Sequence, residues 1–223
     1  MLETETTIET LIEENKRLSE ELKWIKERLW CSECELPRGG LLSDRDIKRL
    51  ILKGRINVTP LPNLEDETIL GTCKLDLHLG AEALVLNSSR VKRGSIDLSE
   101  PIPEEYFDNY NLQKLGTITI GTNKLVVATV LERVILPDDI SGRLEGKSGI
   151  ARRGGAVEAA PIFDAGWDGH PMLELHNIGE LPIIVHFGSP ICAMSFEHMI
   201  SPTFKSYANR DGIKYGIQKR AQI

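Results

Sequence analysis

The chain has little of what most specialised protein classes need. Among 223 residues there are four cysteines, Cys31, Cys34, Cys73 and Cys192, at uneven spacing that gives no disulfide framework. There is no excess of positive charge. The formal net charge is −6, which argues against a general grip on nucleic acid but leaves room for a local basic pocket around a small anion. No apolar run approaches the roughly 20 residues that a bilayer span needs. The N-terminus is acidic and amphipathic, unlike a charged-then-apolar signal peptide, so a cytoplasmic protein with no membrane partner is expected. Internal repeats and low-complexity tracts are missing. So are the Walker loop G-x-x-x-x-G-K-[ST], the G-x-S-x-G elbow and the H-E-x-x-H zinc motif. None of the five histidines is followed two residues later by Glu, and Cys31-x-x-Cys34 lacks a preceding Pro. The zinc-dependent base deaminases are thereby excluded.

What remains is ordinary globular material, 41% hydrophobic and 27% charged, enough for one sizeable domain and an appendage. The appendage is legible first. Ile8, Asn15, Leu22 and Leu29 form one heptad series; Leu11, Leu18 and Ile25 form the other. Steps of three and four put both on one stripe of a helix. Glu21 and Lys26 are placed to attract each other between parallel chains, and an Asn on the seam fixes register at a cost in stability. The pattern predicts an amphipathic, coiled-coil-like helix; the alternative is a helix docked on its own domain. Pro37 and Gly39-Gly40 then mark a linker. Residues 1–36 are therefore read as helix and linker, and residues 41–223 as the body. Cys31-x-x-Cys34 supplies two of the four ligands zinc takes and has no second pair, so it reads as incidental, with a zinc shared between subunits as the alternative.

In the body, Ser43 caps a short helix carrying Ile47, Leu50 and Ile51, ended by Gly54. Helical periodicity then nearly vanishes. Short β-rich runs replace it at 75–79, 83–86, 117–120, 125–130 and 183–185, punctuated by Gly, Pro, Asn and Asp. Such a series predicts an all-β barrel or sandwich.

Three segments carry chemistry. Gly146–Gly155 reads GKSGIARRGG and sets Lys147, Ser148, Arg152 and Arg153 among glycines, which suits an anion; a basic surface turn is the alternative. Ala159–Glu174 reads AAPIFDAGWDGHPMLE, with Asp164 in a turn and Glu174 in a strand. A carboxylate in an apolar strand suits a general base if it is enclosed; by simple alternation, Leu173 points inward and Glu174 to solvent. The tail holds Tyr207, Lys214, Tyr215 and Gln218, which read as a closing segment or a solvated end.

These segments resemble the dCTP deaminase family, within the dCTP deaminase/dUTPase superfamily. GKSGIARRGG resembles the family's GRSSLARLGL, and FDAGWDGHPMLE resembles its IDPGW-x-G-x-I-x-LE. LLSDRDIKRLILKGRI resembles its opening helix, LDLHLG its D-V-x-L-G strand, and Tyr207 with Lys214-Tyr215-x-x-Gln218 its Y…KY-x-x-Q tail. The match runs from about Leu41 to Gln218. It implies a mainly β fold, a distorted dUTPase-like barrel with few short helices, assembled as a homotrimer with active sites between subunits; a two-stranded coiled coil at the N-terminus would make this a higher homo-oligomer. It implies zinc-independent hydrolytic deamination of dCTP to dUTP and ammonia, with Mg2+ travelling on the triphosphate and no metal held by the protein alone. By the same resemblance Glu174 is the general base, Ser148 places the water and phosphates, and the Ala160 carbonyl helps hold the water. Lys147 and Arg152 stand at the triphosphate, Asp164 at the nucleoside, and Tyr207, Lys214 and Gln218 in the closing tail. Departures also stand out. The family's His-Arg pair is Pro161-Ile162 here, Gly149 replaces the second Ser and brings the loop closer to the dUTPase R-S-G-L-A, and the late G-Q is Cys192-Ala193. A bifunctional deaminase/dUTPase or dUTP diphosphatase, and a non-catalytic nucleotide sensor or scaffold, are the alternative functions.

Overall fold

The computed structural model describes residues 2–31, 36–37, 39–158, 162–210 and 217–218. The chain opens with helix α1 (Leu2–Leu29). Where a plain linker was expected, a two-residue ribbon forms: β1 (Trp30–Cys31) lies antiparallel to β2 (Leu36–Pro37), with Trp30 opposite Pro37. Cys34 lies outside the described residues. After β3 (Gly40–Leu41) comes α2 (Asp44–Leu52). It starts where the sequence places its start: Ser43 Oγ accepts from the Asp46 N–H at 3.3 Å and donates to Asp46 Oδ2 at 2.8 Å. Ile47, Leu50 and Ile51 are the buried face that docks it on the body.

The strands follow as β4 (Asn57–Thr59), β5 (Leu70–Gly71), β6 (Lys74–Leu86) and β7 (Phe107–Asn111). One-turn α3 (Leu112–Leu115) leads to β8 (Thr117–Ile120), β9 (Leu125–Val130), β10 (Arg133–Ile135) and β11 (Ile140–Gly146). One-turn α4 (Ser148–Ala151) leads to β12 (Gly155–Glu158), β13 (Ile162–Phe163), β14 (Asp168–Gly169) and β15 (Met172–Asn177). Last come β16 (Ile183–His186), β17 (Pro190–His198) and β18 (Ile217–Gln218).

The main sheet runs β12-β15-β9-β6-β17-β11-β13, with β3 on β17 and β5 and β7 on β6. Its path curls back on itself: a Cβ at Gly146 of β11 would lie 3.5 Å from Val157 Cβ of β12. This is the distorted barrel. β18-β14-β10-β4 form a second sheet and β16-β8 a two-stranded one. The core is the inner face of the curl, with Leu75, Leu77, Val126, Leu173, Met194 and Phe196 all buried. Two apolar runs that read as separate strands, 75–79 and 83–86, are one strand. β6 pairs with β5 and β17 as far as His78 and with β9 and β7 beyond it, and its pairing with β9 shifts register between Leu79 and Ala83.

Candidate active site

The basic loop leaves β11 at Gly146 and turns once as α4. Lys147 is its N-cap residue, with extended backbone, and Ser148, Gly149 and Arg152 are exposed. The loop folds tightly onto β12: a Cβ at Gly155 would stand 2.6 Å from Ile150 Cγ2, so only glycine lets the helical turn sit this close. Arg153, itself exposed, ties the loop together, its Nη1 donating to the Gly149 carbonyl at 2.6 Å.

Lys147 is not simply presented to solvent. Its Nζ donates to Asp76 Oδ2, and Lys74 Nζ stands 3.7 Å from the other oxygen, Asp76 Oδ1. Asp76 is 5% exposed, and a carboxylate that deep needs a cationic partner. Asp76, Lys147, Ile150 and Arg153 line a cleft of about 470 Å3 together with His78 and Pro190. His78 is itself held by buried Glu132: Nδ1 lies 2.5 Å from Oε1, and the His78 backbone N–H donates to Oε2 at 2.9 Å. Beneath them Cys192 is fully buried. Burial pushes its thiol pKa far up, and the negative charges of Glu132 and Asp76 add to this while Lys147 opposes it. Lys147 stands out in the sequence; Asp76 and His78 do not. The available signal was the one applied to Glu174, an Asp in the otherwise apolar run LDLHLG.

Glu174 sits in the middle of β15, opposite Val127 of β9 on one side and Glu158 of β12 on the other. Alternation holds along this strand: Leu173 and Leu175 enter the core. The other face is not open water, since Glu174 is half-buried and its Oε2 is shielded from solvent. The two strands that flank the loop relate it to Glu174. Gly155, which carries α4, pairs with Asn177, and Glu174 lies three residues along the same strand, about 10 Å at the usual strand rise.

Asp164 begins a tight turn. Its carbonyl accepts from the Trp167 N–H at 3.0 Å, and Gly166 takes φ +81°, where a Cβ would fall 1.9 Å from Ser206 Oγ. Trp167 is buried and meets Phe163 edge-on, with ring centroids 4.6 Å apart. The tail docks on this turn. The Tyr207 N–H donates to the Ala165 carbonyl at 3.0 Å, and Arg210 Nη1 lies 3.8 Å from Asp164 Oδ2. β18 runs parallel to β14, placing Gln218 opposite Gly169. Asp164 and Tyr207 thus meet at one turn, and the backbone of Gln218 lies beside the strand that follows it. Arg210, which the sequence analysis passed over, puts a cation beside Asp164 in a chain that lacks the His-Arg pair. Ala160, Pro161 and Lys214 lie outside the described residues. The two neighbourhoods are apart in one chain: Phe163 pairs with Gly142, four residues up β11 from Gly146, about 13 Å at strand rise. Among the described residues no group of three or more His, Cys, Asp or Glu is arranged to hold a metal ion, and no helix is long and apolar enough to cross a membrane.

Residues 41–199 match the family model for dCTP deaminase-like proteins. A dCTP deaminase of Rhodospirillum rubrum is 38% identical over 186 residues, covering 79% of this chain and 92% of the relative. One from Thermomicrobium roseum is 36% identical over 192 residues, covering 80% and 90%. A dUMP-forming dCTP deaminase of Methanosphaera stadtmanae is 33% identical over 194 residues, covering 82% and 92%. Among solved structures, the dCTP deaminase of Agrobacterium tumefaciens superposes with a TM-score of 0.57 at 20% identity; the match covers 72% of this chain and 48% of that one, and speaks to the fold.

Proposed function

The chain belongs to the dCTP deaminase-like family, and on that premise we propose that it hydrolyses the 4-amino group of dCTP, releasing dUTP and ammonia. The half-buried Glu174 on β15 carries this reading. Water attacks C4 of the cytosine while Glu174 takes its proton; the C–N bond then breaks as the proton passes to the leaving amine. Of the two Glu174 carboxylate oxygens, Oε2 is shielded from bulk water. Ser148 and the carbonyl of Ala160 hold the water. Lys147 and Arg152 receive the phosphates, and Asp164 the nucleoside. Tyr207, Lys214 and Gln218 close over the triphosphate.

The donor set suits magnesium brought in on the nucleotide. Asp76, the carboxylate that faces the cleft, is already held by Lys147 and Lys74, so the ion would rest mainly on phosphate oxygens and water, as magnesium brought in on a nucleotide commonly does. The ion would screen phosphate charge; the proton transfer at C4 is assigned to Glu174. The separation of the Asp164 turn from the basic loop along β11 supports a homotrimer in which neighbouring subunits complete each site. The free Cys73 and Cys192 suit a cytoplasmic, reducing setting.

A second reading has its own motive. Gly149 makes the loop dUTPase-like, and the relative from Methanosphaera stadtmanae is dUMP-forming; both favour pyrophosphate release, and in this reading Asp164 positions water at the α-phosphate. A product assay decides. With magnesium, dCTP is expected to yield dUTP and ammonia. Pyrophosphate and dUMP from dCTP or dUTP would move the chain to the bifunctional branch, and no turnover of either nucleotide would overturn both readings.

A further inference from the structure

We propose that α1 is one strand of a parallel, in-register coiled coil whose partner is α1 of a second copy of this chain. The helix is continuous over 28 residues, about 42 Å at 1.5 Å per residue. Every residue from 10 to 24 is exposed. On the seam itself Leu11 is 54% exposed, Leu18 45% and Leu22 55%, and Ile12 beside them is 63% exposed. Over residues 10–24 the stripe therefore does not dock on the chain's own barrel. Helices in water owe most of their stability to packing of an apolar face rather than to propensity, so the face that would hold α1 together has to be covered from another molecule.

The pattern says which molecule and which direction. With Ile8, Asn15, Leu22 and Leu29 at one core position and Leu11, Leu18 and Ile25 at the other, a parallel copy in register sets Asn15 against Asn15, where the two amides can bond each other. An antiparallel copy sets Asn15 against Leu18 and buries the amide without a partner. The flanking charges agree. In the parallel arrangement Glu21 faces Lys26 of the other helix, and no like-charged flanking pair occurs. In the antiparallel one, Glu14 faces Glu21 twice, which offsets the attraction between Glu5 and Lys26. Glu21 is also within 3.9 Å of Arg17 on its own helix, with both side chains exposed, so it already stands in an extended, solvent-facing position. The barrels then hang from the same end of the coil.

Disulfide trapping tests this without nucleotide, so its outcome is independent of the catalytic reading. In the full-length chain carrying Cys31→Ser and Cys34→Ser, Asn15→Cys is compared with Glu13→Cys, an outward position. Mild oxidation and non-reducing denaturing electrophoresis should give at least tenfold more covalent dimer from Asn15→Cys. Adding Leu18→Glu should return the yield to that of Glu13→Cys. Equal yields from the two cysteines, or trapping that survives Leu18→Glu, would overturn the proposal. So would an Asn15→Cys chain that links only when mixed with a Leu18→Cys chain, which is the antiparallel result.

Discussion

Glu174 and Asp76 pose the same physical problem, a carboxylate on a strand that is otherwise apolar. Asp76 is held by Lys147 and Lys74, and Glu174 sits at mid-strand with Oε2 shielded from solvent. Replacing Glu174 by Gln keeps its shape and removes its basicity. The Glu174→Gln variant should lose about a hundredfold to ten-thousandfold in deamination rate while still binding dCTP, as measured by calorimetry beside ammonia release. Both carboxylates stood in the sequence, yet only Glu174 was singled out. Asp76 finds its partner 71 residues away, and nothing local in LDLHLG points to Lys147. Cys192 makes a separate prediction. A raised thiol pKa means less thiolate at any given pH, and thiolate is the reactive form. At pH 8 a thiol reagent should modify Cys73, which is half-buried, and spare Cys192 until denaturant is added, as peptide mass spectrometry would show.

Among the elements, α2 was the most legible because its signals are local. Ser43, Asp46 and the spacing of Ile47, Leu50 and Ile51 lie within one short stretch, and the structure uses each as capping chemistry and amphipathicity require. Ser43→Ala should cost about 1 kcal/mol of stability, read as a lower urea midpoint with an unchanged slope. β6 was half legible. Its apolar runs announced strand but not continuity, because the register shift between Leu79 and Ala83 depends on which neighbours pair on each side. The GKSGIARRGG loop shows its cations in sequence but not its shape: a single helical turn carries no periodicity, and what holds it is the contact between Ile150 and Gly155. The meeting of Tyr207 and Arg210 with the Asp164 turn spans more than forty residues, beyond the reach of any local pattern.

At the scale of the whole molecule, one buried ion pair ties distant parts of the body together. Arg55, just past α2, donates from Nη2 to both oxygens of Asp139 at 2.7 and 2.8 Å. His198, at the end of β17, lies 3.4 Å from Asp139 Oδ2. Removing one member of a buried pair strands the other, so Asp139→Ala should lower stability by about 3 kcal/mol, measured by urea unfolding. The course of β6 has a consequence in time. Its second half pairs with β7, with Leu86 opposite Phe107, a closure of some twenty residues. Its first half waits for β17, with Leu77 opposite Cys192, more than one hundred residues along the chain. Distant pairings slow folding, to the order of milliseconds to seconds in all-β domains, whereas a helix forms in about a microsecond. During folding, then, α1 is complete while half of the central strand still shows a bare edge to solvent. Chains crowded together early by their helices would hold such edges near one another, so the speed with which β17 arrives decides whether the barrel closes or aggregates.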